Sequence, residues 1–235
     1  KPLIYALLTG VSLAMYLLAW SGGLLLVFML FSAFVVIYLI DYLRGKPVDY
    51  LLAIGALTFF IALVLIMPFL RELPFANLSV ISLVGGTLVL PGLYLISWLS
   101  GKKGLSRFYY PFILIGLGAA GAAGFYLVDK PLFLEILDKF RVFTPETGIL
   151  TISEARPLLY SRGPFSWTPA WDEFTTGLFL APAAFVMVFW QGFKKTSPQV
   201  WLFLTWCLIM LAATLGQIRF SYYLTVNVAL LSAFL

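Results

Sequence analysis

A carboxylate of note stands in the only long polar stretch of an otherwise apolar chain. It is Glu154, in Thr151-Ile152-Ser153-Glu154, followed by Ala155-Arg156-Pro157. A carboxylate there can ligate a cation or organise a polar substrate, and a lone solvated acid is the plain alternative. The second candidate is Arg219, set between two apolar runs in Gln217-Ile218-Arg219-Phe220-Ser221-Tyr222-Tyr223. A guanidinium presents a planar fork of donors that matches phosphate and carboxylate oxygens. Charge near membrane depth is costly and marks function by default; an arginine snorkelling to the interface explains the position equally well. The sequence has no His, which removes imidazole catalysis and His metal sites from these residues. Cys207 is the only cysteine and lies in an apolar run, so the chain has no internal disulfide framework.

Other motifs carry less. Gly116-Leu117-Gly118-Ala119-Ala120-Gly121 matches the spacing of a dinucleotide-binding turn, but it lies inside an apolar run with no strand before it. Close helix packing through small residues, continued by Gly124, is the expectation there. Asn77-Leu78-Ser79 is a glycosylation tripeptide in a short connection. Asp172 and Glu173 precede an apolar span, where acids favour a helix dipole. Asp41 and Asp49 flank a basic turn holding Arg44 and Lys46 and read as a solvated loop.

The elements that must position these residues follow from composition. Hydrophobic residues make up 62% of the chain and charged residues 11%, against about half and a quarter in a soluble domain. Mean hydropathy is +1.02. The apolar runs are long enough to cross a hydrocarbon core about 30 Å thick. The sequence therefore predicts an all-α polytopic membrane protein with about eight transmembrane helices: Leu3–Trp20, Leu24–Leu43, Tyr50–Leu70, Val84–Leu99, Phe108–Val128, Phe174–Gln191, Val200–Leu215 and Phe220–Leu235. The break at Ser21-Gly22-Gly23 predicts a tight hairpin between the first two, and Pro91-Gly92 a kink in the short fourth span. Three segments result: transmembrane helices over 1–128, a long external loop over 129–173, and transmembrane helices over 174–235. The net charge of +5 does not imply nucleic acid, because the basic residues sit at span ends, where membrane lipids and topology explain them. With Lys1 in the cytoplasm, Arg44, Lys46, Lys102, Lys103, Arg107, Lys194 and Lys195 share that side; Arg71 is the exception on the short outer turns. That places the loop, Glu154 and Arg219 together on the extracytoplasmic face. A loop of about 45 residues exceeds ordinary connections and suggests function. Its first part, Pro131 to Phe143, spaces Leu132, Phe133, Ile136, Leu137 and Phe140 as an amphipathic surface helix, and its last part, Phe165 to Trp171, reads as an interfacial aromatic belt. Both chain ends run into apolar stretches, which reads as an internal piece of a longer protein.

Thr151-Ile152-Ser153-Glu154 resembles the Thr/Ser-Ile/Val-x-Glu motif of the oligosaccharyltransferase catalytic subunits, which lies on a long outer loop between two membrane helices. Ala155-Arg156-Pro157 resembles the residues directly after that motif in archaeal and eukaryotic members. Arg219-Phe220-Ser221-Tyr222-Tyr223-Leu224 through Leu231 resembles the family's later arginine-bearing helix, and Ala19-Trp20-Ser21-Gly22-Gly23 its Trp-Gly-Gly hairpin. The resemblance runs through essentially the whole chain. It implies part of a GT-C type membrane glycosyltransferase, a single-subunit archaeal or bacterial enzyme of the cell membrane (of the endoplasmic reticulum membrane if eukaryotic). Such enzymes move a glycan from a polyprenyl (dolichyl) pyrophosphate, the lipid-linked oligosaccharide donor, to the Asn amide of an acceptor polypeptide bearing Asn-x-Ser/Thr. By resemblance Glu154 ligates Mg²⁺ or Mn²⁺ and touches the acceptor amide, Thr151, Ile152 and Ser153 lie near the acceptor, and Arg219 holds the leaving group.

The family's Asp-x-Asp, its second acidic motif and its Trp-Trp-Asp-x-Gly are absent from this sequence. One carboxylate does not fill the coordination sphere of a divalent cation, so the remaining ligands are expected outside this chain, and this chain alone is expected to be inactive. Two other readings stand beside this one. A lipid-phosphate-sugar-dependent enzyme of the O-mannosyltransferase type also uses outer-loop acids. A transporter segment would place charged or broken helices at mid-membrane, whereas here the polar residues gather in one loop.

Overall fold

The protein, described by a computed structural model over residues 2–70, 77–143, 153–195 and 197–235, is all-helical, with no strand among those residues. Its helices are α1 (Pro2–Ala19), α2 (Leu24–Leu43), α3 (Asp49–Ile66), α4 (Leu78–Lys102), α5 (Tyr110–Val128), α6 (Lys130–Lys139), α7 (Thr168–Phe174), α8 (Gly177–Lys195), α9 (Pro198–Gly216) and α10 (Ser221–Ser232). Among the described residues, six segments are long and apolar enough to cross a membrane, built on α2, α3, α4, α5, α8 and α9. The first expected span forms a shorter apolar helix, α1, and the last is realised over Ser221–Ser232 as α10. Large side chains such as Leu3, Phe112, Leu127 and Phe179 stay exposed, as lipid-facing residues of a multi-pass protein do. The chain divides into two compact units, Lys1–Val128 and Asp129–Leu235.

In the first unit α3 is the central helix, packed by both α1 and α4. Ser21–Gly23 is a single 3₁₀ turn, as its length predicts, yet α1 lies chiefly along α3 rather than α2. Gly10 explains this: a Cβ there would stand 2.8 Å from both Ile61 Cβ and the Thr58 carbonyl. On the other face of α3, a Cβ at Gly86 of α4 would meet the Phe59 ring at 2.7 Å. Small residues let apolar helices approach closely where no hydrophobic driving force exists between them and lipid. The fourth span is longer than its apolar run: α4 begins at Leu78 and passes through Pro91 to Lys102. The extension comes from Asn77, whose side-chain oxygen accepts hydrogen bonds from the backbone of Ser79 (2.9 Å) and Val80 (3.4 Å). The tripeptide that reads as a glycosylation site is thus a helix cap. Asn77→Ala should cost about 1 kcal/mol, read as a lower thermal midpoint of the purified protein, and Asn77→Asp should restore it.

The glycine-rich face of α5 corrects an expectation. Tyr110 is the helix's one buried residue, and a Cβ added at Gly116, Gly118, Gly121 or Gly124 would meet nothing within 4 Å. The described chain lays no helix on that face, so the packing expected of these residues is not made among them.

The second unit begins with α6, capped by Asp129, whose carboxylate accepts from Leu132 N at 3.0 Å. Leu132, Phe133 and Ile136 are half-buried along one face, the helical spacing read in the sequence. α8, α9 and α10 then pack pairwise. Asn227 of α10 is fully buried and donates to Cys207 Sγ of α9 at 3.2 Å.

Candidate functional site

Both candidate residues sit on short 3₁₀ turns, that of Glu154 in the loop and that of Arg219 between two helices. Glu154 is in the turn Ser153–Ala155. Arg219 is in the turn Ile218–Phe220, between the extended Gln217 that ends α9 and the first residue of α10. One main-chain bond joins the two turns: Ile218 N donates to the Arg156 carbonyl at 2.8 Å. The bonded residues are two positions from Glu154 and one from Arg219, so side chains 65 positions apart in sequence are held at one place.

The cleft they line has a volume of about 260 Å³ and also takes in Ser161, Arg162, Glu173, Ile218, Ser221 and Tyr222. Its charges divide into two sets. Arg162 is paired with Asp172 at 2.6 Å, and Glu173 accepts from Ser221 Oγ at 2.8 Å. Glu154 and Arg219 make no ion pair among the described residues. The Arg219 guanidinium lies 5.2 Å from the centre of the Phe220 ring, and Phe220 is itself buried, so the ring supports the cation from behind without neutralising it. The cleft therefore offers one free carboxylate and one free guanidinium, both exposed. That is the complementarity a ligand with an anionic end and a cationic or amide end requires.

Three of the cleft's polar side chains escape sequence reading. The sequence puts Asp172 and Glu173 in the first turn of a span, where they would favour its dipole. The structure corrects this: α7 ends at Phe174, the chain breaks at Thr175 (φ 47°), and the span begins at Gly177. A β-branched residue at positive φ is strained, and the break it marks turns Glu173 toward α10. Arg162 and Tyr222 likewise gain meaning only from the fold. Ser221, 48 positions from Glu173, shows why: no local pattern signals such a pair. Thr151 and Ile152 lie outside the described residues; Ser153 is placed by its backbone, at the start of the Glu154 turn.

The residues that follow α6 pack against the end of α9. A Cβ at Gly216, the last residue of α9, would collide with the Val142 carbonyl and approach Phe143 Cα to 3.0 Å. The stretch after α6 thus rests on the glycine that precedes the Arg219 turn. Gly216→Ala should destabilise the unit by about 1–3 kcal/mol through overpacking; a thermal midpoint unchanged from the parent would show that the contact yields freely.

As a metal centre these residues are incomplete. No group of three or more His, Cys, Asp or Glu side chains gathers among the described residues. Mg²⁺ demands near-octahedral oxygen coordination, and Glu154 fits as one ligand of such a shell, not as the shell.

The class defined by fold and site is a polytopic helical membrane protein with an acid–guanidinium cleft at its helix ends. Among curated proteins, the dolichyl-phosphooligosaccharide-protein glycotransferase 3 of Archaeoglobus fulgidus is 26% identical over 250 residues, an alignment covering 99% of this chain and 28% of that protein. The dolichyl-monophosphooligosaccharide–protein glycotransferase AglB of Haloferax volcanii is 28% identical over 168 residues, covering 68% of this chain and 16% of that protein. The structure of the A. fulgidus oligosaccharyltransferase AglB, in complex with an inhibitory peptide and a dolichol-phosphate, superposes with a TM-score of 0.81 at 24% identity over 98% of this chain and 28% of that one. The same enzyme tethered to an acceptor peptide containing the NVT sequon gives 0.75 at 22% identity. No family model matches. The chain is similar in sequence to these archaeal glycotransferases and shares the fold of the matched part of the solved structures, and it spans 28% of the length of the first of them.

Proposed function

We propose that this chain is part of the membrane domain of an N-linked oligosaccharyltransferase, which moves a glycan from a polyprenyl phosphate or pyrophosphate to the Asn amide of an Asn-x-Ser/Thr acceptor. The observation that carries the proposal is that Glu154 and Arg219 line one cleft, their turns joined by the Ile218–Arg156 bond, with neither in an ion pair among the described residues. The homologues, both named as dolichyl-linked oligosaccharide transferases, supply the reaction class.

Each residue then has a task. When the C–O bond of the donor breaks, negative charge grows on the departing phosphate oxygen. Arg219 stabilises that charge with a fork of donors fixed before reaction. Glu154 accepts a hydrogen bond from the acceptor amide N–H, holding a poor nucleophile against the anomeric carbon, and takes the proton that the nitrogen sheds as the C–N bond forms. Orientation of this kind removes much of the barrier to a bimolecular step. Thr151, Ile152 and Ser153 precede Glu154 and flank the bound peptide. A Mg²⁺ or Mn²⁺ ion, held by Glu154 and by ligands outside this chain, would add Lewis-acid stabilisation of the leaving phosphate. On this reading the Glu154 loop and Arg219 face the extracytoplasmic side, and the chain by itself does not turn over.

The experiment is a transfer assay on the full-length protein with a polyprenyl-linked glycan and a sequon peptide, read by mass spectrometry. A glycan attached to Asn, lost when that Asn becomes Gln, is expected. Transfer to Ser or Thr of a peptide lacking Asn would point to an O-glycosyltransferase and overturn the proposal. The lipid product, phosphate or pyrophosphate, identifies the donor.

A further inference from the structure

A second cleft, of about 230 Å³, lies in the first unit, where the connection between α2 and α3, the C-terminal turns of α4 and the turn before α5 meet. Tyr42, Lys46, Asp49, Tyr94, Trp98 and Arg107 are among the residues lining it. We propose that this cleft binds the phosphate of an anionic membrane lipid.

The cations in it are available. The Arg107 side chain makes no hydrogen bond or ion pair among the described residues, and its guanidinium is laid against Gly45, where an added Cβ would collide with Nη1. Gly45 has φ +71°, a conformation that suits glycine, so the chain turns sharply to leave the guanidinium that place. Lys46, the next residue, adds a second exposed charge. Lys102 stands over the Trp98 ring at 5.2 Å, beside the cleft, and Lys103 follows it. The acids do not cancel this. Asp41 is buried and accepts from the Tyr50 hydroxyl at 2.8 Å, and it does not line the cleft. Asp49 does line it, leaving two cations to one carboxylate.

The floor is rigid. Tyr38 and Ser97 share a hydrogen bond of 2.8 Å, the Tyr110 hydroxyl donates to the Leu93 carbonyl at 2.7 Å, and the Tyr42 and Tyr110 rings pack at 4.4 Å. A guanidinium poised over a fixed floor loses little entropy on binding an oxyanion. The helices around the cleft are apolar and it opens at their ends, beside Trp98, which is 52% exposed. Tryptophan at such a position marks the headgroup layer, and basic pockets between membrane helices suit anionic headgroups. A soluble phosphate offers the same oxygens to Arg107, but it lacks the chains that the exposed Trp98 and its apolar neighbours would cover.

The test uses the full-length protein in phosphatidylcholine nanodiscs, with brominated phosphatidylglycerol as a quencher of tryptophan fluorescence. A saturable component is expected above the quenching of other exposed tryptophans such as Trp190, lost in Trp98→Phe and shifted to about tenfold higher lipid by Arg107→Gln, the loss of one charge-assisted contact. Arg107→Lys should retain most of the binding, which separates a lost charge from a misfolded cleft. Brominated phosphatidylcholine giving the same saturable curve, or Arg107→Gln leaving the midpoint unmoved, would overturn the proposal. Displacement of the lipid by inorganic phosphate at a lower concentration than the lipid itself would assign the cleft to a soluble phosphate, and would equally overturn it.

Discussion

Glu154→Gln in the full-length protein should lower the rate of glycan transfer to a sequon peptide by about 10²–10⁴-fold. The substitution keeps size and shape and removes only the charge. Glu154 is exposed on a short turn and makes no ion pair among the described residues, so none of their packing depends on its carboxylate, and expression and thermal midpoint should stay at the parent's values. That separation makes the result diagnostic. A neutral amide at this position still occupies the cleft but no longer accepts the hydrogen bond of the acceptor amide with a full charge, and it is a poor ligand for a hard cation. Loss of transfer with stability intact therefore assigns the carboxylate to the reaction. Glu154→Asp, with the charge retained one methylene back, should fall between the two, because misplacement of about 1 Å alone costs on the order of 10²-fold. Turnover equal to the parent's in Glu154→Gln would return Glu154 to an ordinary solvated acid.

The second large effect is expected at Arg219. Arg219→Ala should cost about 10²–10³-fold in transfer, the range seen when one donor to a developing oxyanion is removed. It should appear mainly as slower turnover of bound donor, since the charge on the phosphate grows as the bond breaks. Arg219→Lys should recover part of the loss: the charge returns, and the bidentate fork does not. The competing reading is an arginine that merely snorkels to the interface. In that case Arg219→Ala leaves donor use and rate unchanged, and the effect shows only in stability or membrane placement. The geometry favours the first reading because the guanidinium is backed by Phe220 and lies in the same cleft as Glu154.

How far the site can be read from the sequence depends on isolation. Glu154 and Arg219 stand out because each is a charge with few charged neighbours in an apolar chain, and the resemblance of their surroundings to one enzyme family joins them. The fold class is legible for the same reason: span lengths and span-end charges follow from bilayer thickness alone. Glu173, Arg162 and Tyr222 are not legible, because they reach the cleft through a break at Thr175 and a fold-back of α10, and such long-range pairs leave no periodic trace. The start of α4 escapes because hydropathy does not register a cap: Asn77 looks like a modification site until its oxygen is seen accepting from Ser79 and Val80. The glycines of α5 mislead in the opposite sense. Their spacing fits close packing, but spacing does not say which helix packs there, and none of the described ones does.

That the Glu154 turn and the Arg219 turn form one reaction centre is tested most directly by a double-mutant cycle. The initial rate of sequon glycosylation is measured on the full-length parent, on Glu154→Gln, on Arg219→Ala and on the double variant. Groups that act together in one transition state are grossly non-additive, so the double variant should lose little more than the worse of the two single variants. Losses that multiply would place the two residues at independent sites and contradict the shared cleft.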